Sequence, residues 1–113
     1  MELWKNQALF AENAAYLILE INRQGLHCTF GDAFRSTEQA QLNAIEGKGI
    51  VHSLHCERLA IDLNLISSEG VYLTAKEAYQ PFGEFWKKLN PANKWGGDFA
   101  HLVDSNHFQM DNL

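Results

Sequence analysis

The chain has 113 residues, 46% of them hydrophobic, which is enough for one domain with one modest core. Its formal net charge of −5 comes from scattered acids and bases, with no Lys/Arg cluster to grip DNA or RNA. No apolar run is long enough to cross a bilayer, and two cysteines, Cys28 and Cys56, are too few for a disulfide framework.

From about Glu2 to Arg23 the pattern is helical. Trp4, Ala8, Ala11, Ala15 and Ile18 recur at helical spacing, Phe10, Leu17 and Ile21 widen the apolar face, and Gly25 is a natural stop. Lys5, Glu12, Asn13 and Glu20 form the solvated face. Leu26–Phe30 reads as a short strand, and Gly31-Asp32-Ala33-Phe34-Arg35-Ser36 as a turn. Ser36 with Gln39 makes a capping box, which predicts a helix from Thr37 to about Ile45. Arg35 then stands at a strand-to-helix junction, where its planar fork either meets a carboxylate in a cleft or pairs with Asp32 at the surface. Glu46-Gly47-Lys48-Gly49 is a flexible connector.

The chain is organised around Ser53–Leu63. Ala60-Ile61-Asp62-Leu63-Asn64-Leu65 alternates apolar and polar, as a half-buried strand does, and an aspartate there is costly unless something pairs with it. His55 lies seven residues earlier. Strand side chains alternate faces, so the two converge only if His55 sits on a turn leading into the strand, with Glu57-Arg58 as the bend. Ile66–Gly70 then reads as a hairpin loop returning through Val71-Tyr72-Leu73. Thr74 with Glu77 makes a second capping box for a helix from about Ala75 to Leu89, broken or kinked by Pro81, with Phe82, Phe85, Trp86 and Leu89 inward. Asn90–Asn93 closes that element. Trp95-Gly96-Gly97 marks a place where the backbone bends or approaches something closely, and His107-Phe108-Gln109-Met110 is a short final strand.

Three of these residues have suitable chemistry to meet at a metal: His55 on a turn, Asp62 on a strand and His107 opening the last strand. Two histidines and one carboxylate leave a tetrahedral zinc ion with an open fourth position, the pattern of a catalytic site rather than a closed structural one. Asp104, three residues before His107, is placed to carry a proton during hydrolysis. Cys56 beside His55 is a weaker candidate ligand, because neighbours on an extended turn point apart; free thiols are the simpler reading. His27, His52 and His101 read as strand, turn or surface histidines; His52, close to His55 in the chain, is the one that could line the cleft. Asp98 is either a carboxylate that holds His107 or Arg35, or an exposed turn residue. The expected fold is α+β, with helices packed on one face of a small antiparallel sheet and the zinc cleft on the other.

Ser53-x-His55-x6-Asp62, with Ala60 two residues before the aspartate, and then Asp104-x-x-His107 resemble the signature of the zinc D-Ala-D-Ala carboxypeptidase and dipeptidase family. That family is VanX/VanY-like and includes the L-alanyl-D-glutamate peptidases used as phage endolysins. Phe34-Arg35-Ser36 with Glu38-Gln39 resembles its upstream Arg-Ser motif, and Trp95-Gly96-Gly97 resembles the element before its final Asp/Glu-x-x-His. The resemblance runs from Phe30 to Met110 in the expected order. It implies one Zn²⁺ held by His55, Asp62 and His107, with Asp104 as general base and acid. It implies Arg35 as a residue that engages the substrate or stabilises the oxyanion, and Ser53 as one that holds the turn or contacts the peptide.

The function so implied is that of a metallopeptidase cleaving peptidoglycan stem peptides, an endopeptidase or carboxypeptidase formed by one catalytic domain over residues 1–113. It is expected to work as a monomer, without nucleic-acid partners or membrane insertion. The N-terminus lacks the layout of a secretory signal, so cytoplasmic synthesis and action at the cell wall after release are expected, as for a phage or prophage endolysin. The rival reading is a non-catalytic module that keeps zinc for stability; an Asp104 poised as proton carrier argues against it. One position departs from the family pattern. Many members have glycine three residues after the first histidine, where this chain has Arg58.

Overall fold

Helix α1 (Leu3–Arg23) ends where Gly25 takes a φ of +84°. There the Gly25 and Leu26 N–H groups return to the carbonyls of Asn22 and Ile21, capping the last turn. The chain then enters β1 (His27–Phe30). The computed structural model describes residues 2–34, 36 and 54–112. The helix expected over 37–45 and the connector over 46–49 lie outside the described residues, as do Arg35, His52 and Ser53. The chain resumes with a 3₁₀ turn (Leu54–Glu57) leading into β2 (Ala60–Ile66). After β2 come β3 (Tyr72–Leu73), helix α2 (Lys76–Leu89), β4 (Asn93–Trp95), a second 3₁₀ turn (Gly96–Asp98) and β5 (His107–Met110).

Among the described residues all the strand pairings are antiparallel, and β2 is the central strand. β1 runs along one edge of it, while β3 and β5 share the other, with β4 outside β5. Period-two alternation decides the faces of β2. Leu59, Ile61, Leu63 and Leu65 point into the core, which leaves Asp62 and Asn64 on the opposite side. Helices α1 and α2 cover the core face. Phe10 of α1 meets Trp86 of α2 edge-to-face at 5.5 Å, and Trp86 meets Phe108 of β5 in the same way at 6.0 Å. The Trp86 indole N–H is shared by the Lys94 and Gln109 carbonyls, so this one side chain ties the helix layer to β4 and β5. This is the expected α+β arrangement.

Three local expectations are corrected. On α1 the buried stripe is Phe10, Ala14, Leu17 and Ile21, joined by Asn6 and Asn13, whereas Trp4, Ala8, Ala11 and Ala15 are exposed. Two stripes were available on this helix, and the one with the larger side chains removes more apolar area from water. Asn13, assigned to the solvated face, therefore goes inside. At the start of α2 the cap is Ala75, with no side-chain cap bond, so the Thr74–Glu77 box does not form. Pro81 lies within α2 without breaking it. The missing N–H removes one bond near the helix start, while Tyr79, Phe82 and Trp86 bury the face that holds the helix down. Strand β4 was not expected; three residues between Pro91 and paired glycines carry too little pattern to announce a strand.

Candidate metal centre

His55 lies on the 3₁₀ turn rather than on a strand, as convergence with Asp62 requires. The Leu59 N–H closes that turn on the Leu54 carbonyl, and Arg58 reverses the chain with a φ of +58°. The imidazole, 2% exposed, points across the polar face of β2. Asp62 and His107 are paired directly in the β2–β5 register, and opposed residues of an antiparallel ladder project to the same face.

The three candidate ligand atoms form a nearly equilateral triangle. His55 Nε2 is 3.2 Å from His107 Nδ1 and 3.3 Å from Asp62 Oδ1, and His107 Nδ1 is 3.2 Å from the same oxygen. Three mutual hydrogen bonds cannot satisfy such a triangle, because each proton can point along one edge only. A zinc ion bonded at about 2.0–2.1 Å to tetrahedrally placed N and O ligands holds them about 3.3–3.4 Å apart, which matches the observed edges. The ligand set fits a single zinc ion.

The tautomer of His107 is fixed by a polar chain. Gln109 donates through Nε2 to Asp111 Oδ1 at 3.0 Å, so its Oε1 faces His107 Nε2 at 2.7 Å. That oxygen only accepts. His107 Nε2 therefore carries the proton, and Nδ1 presents its lone pair to the triangle. Gln109 was missed as a site residue, although its spacing of two from His107 on a strand placed it on the same face. The field within the cluster is strong. Burial pushes the Asp62 carboxyl up, but hydrogen bonds and charge from His107 and His55 outweigh it and hold the group at about 2. Burial pulls His107 down, and its bonds to Asp62 and Gln109, with the charges of Asp62 and Asp104, raise it overall.

Asp104 stands outside the triangle. It lines a neighbouring cleft of about 280 Å³ with Asn64, Tyr72, Tyr79, Val103 and Asn106. Its backbone is clamped: the N–H donates to the Gly96 carbonyl at 3.0 Å, and its carbonyl accepts the His107 N–H at 3.1 Å. The Trp95 indole N–H holds the Ser105 carbonyl at 2.7 Å. A methyl group at Gly96 would overlap the Asp104 carbonyl and lie 2.9 Å from His107 Cβ. One at Gly97 would overlap the Trp95 ring. The Trp95-Gly96-Gly97 element thus brings the Asp104–His107 turn against the sheet.

Among the described residues, no other candidate joins the triangle. Cys28 and Cys56 are both free thiols, and the Cys56 sulfur faces the Ser36 carbonyl at 3.8 Å. Asp98 is exposed and paired with Lys87 at 2.6 Å, and His27 and His101 are exposed. No helix among the described residues is long and apolar enough to cross a membrane.

A search of curated proteins returned no match. Solved structures resemble the chain closely in fold. The Serratia marcescens L-Ala D-Glu endopeptidase ChiX aligns with a TM-score of 0.66 at 20% identity, over 76% of this chain and 68% of that one. A mutant of the vancomycin-resistance D,D-pentapeptidase VanY from a VanB-type cassette, in complex with Zn(II), aligns with a TM-score of 0.60 at 16% identity. That alignment covers 89% of this chain and 70% of that one. The model of a peptidase family described as D-alanyl-D-alanine carboxypeptidase matches residues 46–110, more than half of the chain and all three members of the triangle. The chain belongs to this family and is a zinc peptidase.

Proposed function

We propose that the chain hydrolyses a peptide bond in peptidoglycan stem peptides, as a phage or prophage endolysin of the L-Ala-D-Glu endopeptidase or D-Ala-D-Ala carboxypeptidase type. The observation that carries this reading is the His55–Asp62–His107 triangle beside a cleft whose wall bears Asp104. Family membership and the chemistry named for the two structural neighbours support the substrate class, and the motif resemblance to phage peptidases supports the setting.

In this reading His55, Asp62 and His107 hold the metal. A zinc ion there supplies Lewis acidity, polarising the scissile carbonyl and acidifying water. Asp104 takes a proton from the attacking water and delivers it to the nitrogen of the leaving amine as the C–N bond breaks. Its place in the cleft and its clamped backbone support that role, and its negative charge already reaches His107 and Tyr79. Gln109 keeps His107 in the ligating tautomer. Arg35 engages the substrate or the developing oxyanion, and Ser53 holds the turn or contacts the peptide; both roles come from the resemblance.

The test is purified peptidoglycan incubated with wild type and with Asp104→Ala, with new amino groups counted and released fragments weighed by mass spectrometry. New N-terminal D-Glu identifies the endopeptidase, and free D-Ala the carboxypeptidase. Asp104→Ala should keep zinc and fold and lose turnover. Absence of wild-type cleavage on several wall chemistries would leave the zinc-stabilised binding module instead.

A further inference from the structure

The polar face of β2 does not stop at Asp62. Asn64 stands on the same face, two residues and so about 6–7 Å farther along the strand. On the facing turn Asn106, between Asp104 and His107, is fixed through its carbonyl, which accepts the Leu63 N–H at 2.9 Å. Its side-chain amide donates through Nδ2 to Asn64 Oδ1 at 2.9 Å. That bond uses a proton of one amide and a lone pair of the other. The complementary pair is left over, with Asn64 Nδ2 as donor and Asn106 Oδ1 as acceptor. Turning both amides over exchanges the two roles and leaves the same complement.

Both asparagines line the cleft of about 280 Å³ that also holds Asp104. The Tyr79 hydroxyl in the same wall is already spent, accepting the Leu65 N–H at 3.0 Å and donating to the Leu73 carbonyl at 2.9 Å. Tyr72 and Val103, both exposed, give the cleft an apolar flank.

We infer that this cleft takes the leaving fragment of the substrate and that the Asn64–Asn106 pair reads an uncharged amide in it. The pair then selects a bond inside a longer peptide over one next to a free terminal carboxylate. The inference rests on the role proposed for Asp104: a group that protonates the departing nitrogen has the departing residue beside it. An amide, with one N–H and one carbonyl, matches a donor and an acceptor held side by side. A carboxylate only accepts, so it would set oxygen against Asn106 Oδ1 and its own charge against that of Asp104.

The experiment gives the zinc-loaded protein matched soluble peptides carrying either an L-Ala-D-Glu or a D-Ala-D-Ala bond. In each, the γ-carboxyl of D-Glu or the carboxyl of the last D-Ala is either free or a carboxamide. Wild type should cleave the carboxamide form of its substrate with a kcat/KM about tenfold or more above the carboxylate form. Asn64→Leu and Asn106→Leu should each cut that ratio severalfold with zinc retained, and the double variant should do little more than either, since both remove one pair. A carboxylate cleaved as well as the carboxamide, or a ratio that survives both substitutions, overturns the inference. Because Asn106 adjoins His107, a second measurement uses no variant and no turnover. The side-chain NH₂ resonances of Asn64 and Asn106 in ¹⁵N-labelled wild type are followed as D-glutamine, D-glutamate, D-alaninamide or D-alanine is added. A carboxamide should shift both signals at concentrations where its carboxylate counterpart leaves them in place; equal shifts, or none from any of the four, sink the amide reading. If wild type cleaves neither bond while the carboxamide shifts persist, the functional reading fails and the recognition site stands.

Discussion

Asp62 and His107 face each other across the β2–β5 ladder, with the carboxylate oxygen 3.2 Å from Nδ1. Strand pairing therefore delivers two of the three candidate ligand atoms, and the 3₁₀ turn before β2 delivers the third. A site made by backbone register is stiff before metal arrives. The cost is a set of buried polar atoms held close together, so metal binding should add to folding stability. With free zinc at a hundred times its Kd, the wild-type Tm should rise by on the order of 10 °C over the chelated protein. His55→Ala and His107→Ala should each lose that increment and the bound zinc, as read by thermal melts with and without a chelator and by elemental analysis. A full zinc-dependent increment in His107→Ala would mean that the ion sits elsewhere.

Without metal, the same cluster should impose its own pH dependence. His107 is raised above its ordinary 6.5, so its contribution is complete below about pH 6.5 and is lost as pH rises through the folded value. Asp62 is lowered from 3.8 to about 2, so its contribution is present above about pH 4 and is lost as pH falls toward 2. The chelated protein should be most stable between about pH 4 and 6.5 and weaken on the alkaline side. Zinc should reverse the alkaline trend, because protons compete with the ion for Nδ1. Melts across this range in chelator and in zinc would show curves of opposite slope near neutrality; parallel curves would refute the assignment.

Much of this site was legible in the sequence because its geometry follows from spacing. For His55 and Asp62 to converge, their odd separation required the histidine on a turn, and that is where it lies. The alternation of Ala60–Leu65 marked Asp62 as the half-buried polar residue of a strand, and the Trp95-Gly96-Gly97 run marked a close approach, here to the Asp104 carbonyl. What spacing did not decide was competition between similar alternatives. Helix α1 carries two apolar stripes, and tertiary burial chose Phe10, Ala14, Leu17 and Ile21 over the alanine-rich one. Strand β4 owes its existence to β5 beside it, a pairing invisible in three local residues. Arg58 was visible only as a departure from glycine; its partner Phe34 is 24 positions away, and only the fold brings the two together.

Gln109 should matter although it is not a ligand. Through Asp111 and Gln109 the proton of His107 is pinned to Nε2, which leaves Nδ1 ready for metal. Gln109→Ala releases that restraint. Zinc affinity should fall about 10–100-fold, as measured by competition with a chromophoric chelator, while the metal-free fold persists. Unchanged affinity would show that ring packing, including Phe99 at 5.7 Å from the imidazole, orients His107 without help.

Gly96→Ala tests the other support of the site. The added methyl would overlap the Asp104 carbonyl and press on His107 Cβ, both backed by fixed structure. Asp104 cannot retreat freely, because its N–H is bound to the Gly96 carbonyl and its carbonyl takes the His107 N–H. Ser105 is tethered in turn by the Trp95 indole. The overlap must therefore be relieved by moving the turn as a unit, which carries Asp104 and His107 away from their partners. Overpacking of this kind costs about 1–3 kcal/mol. The chelated protein should lose that much stability by urea denaturation, and zinc affinity should drop with it, because one displaced ligand opens the triangle. A variant that lost stability yet bound zinc as tightly as wild type would show that the turn yields at Asp104 alone, and turnover would then be the property that fails.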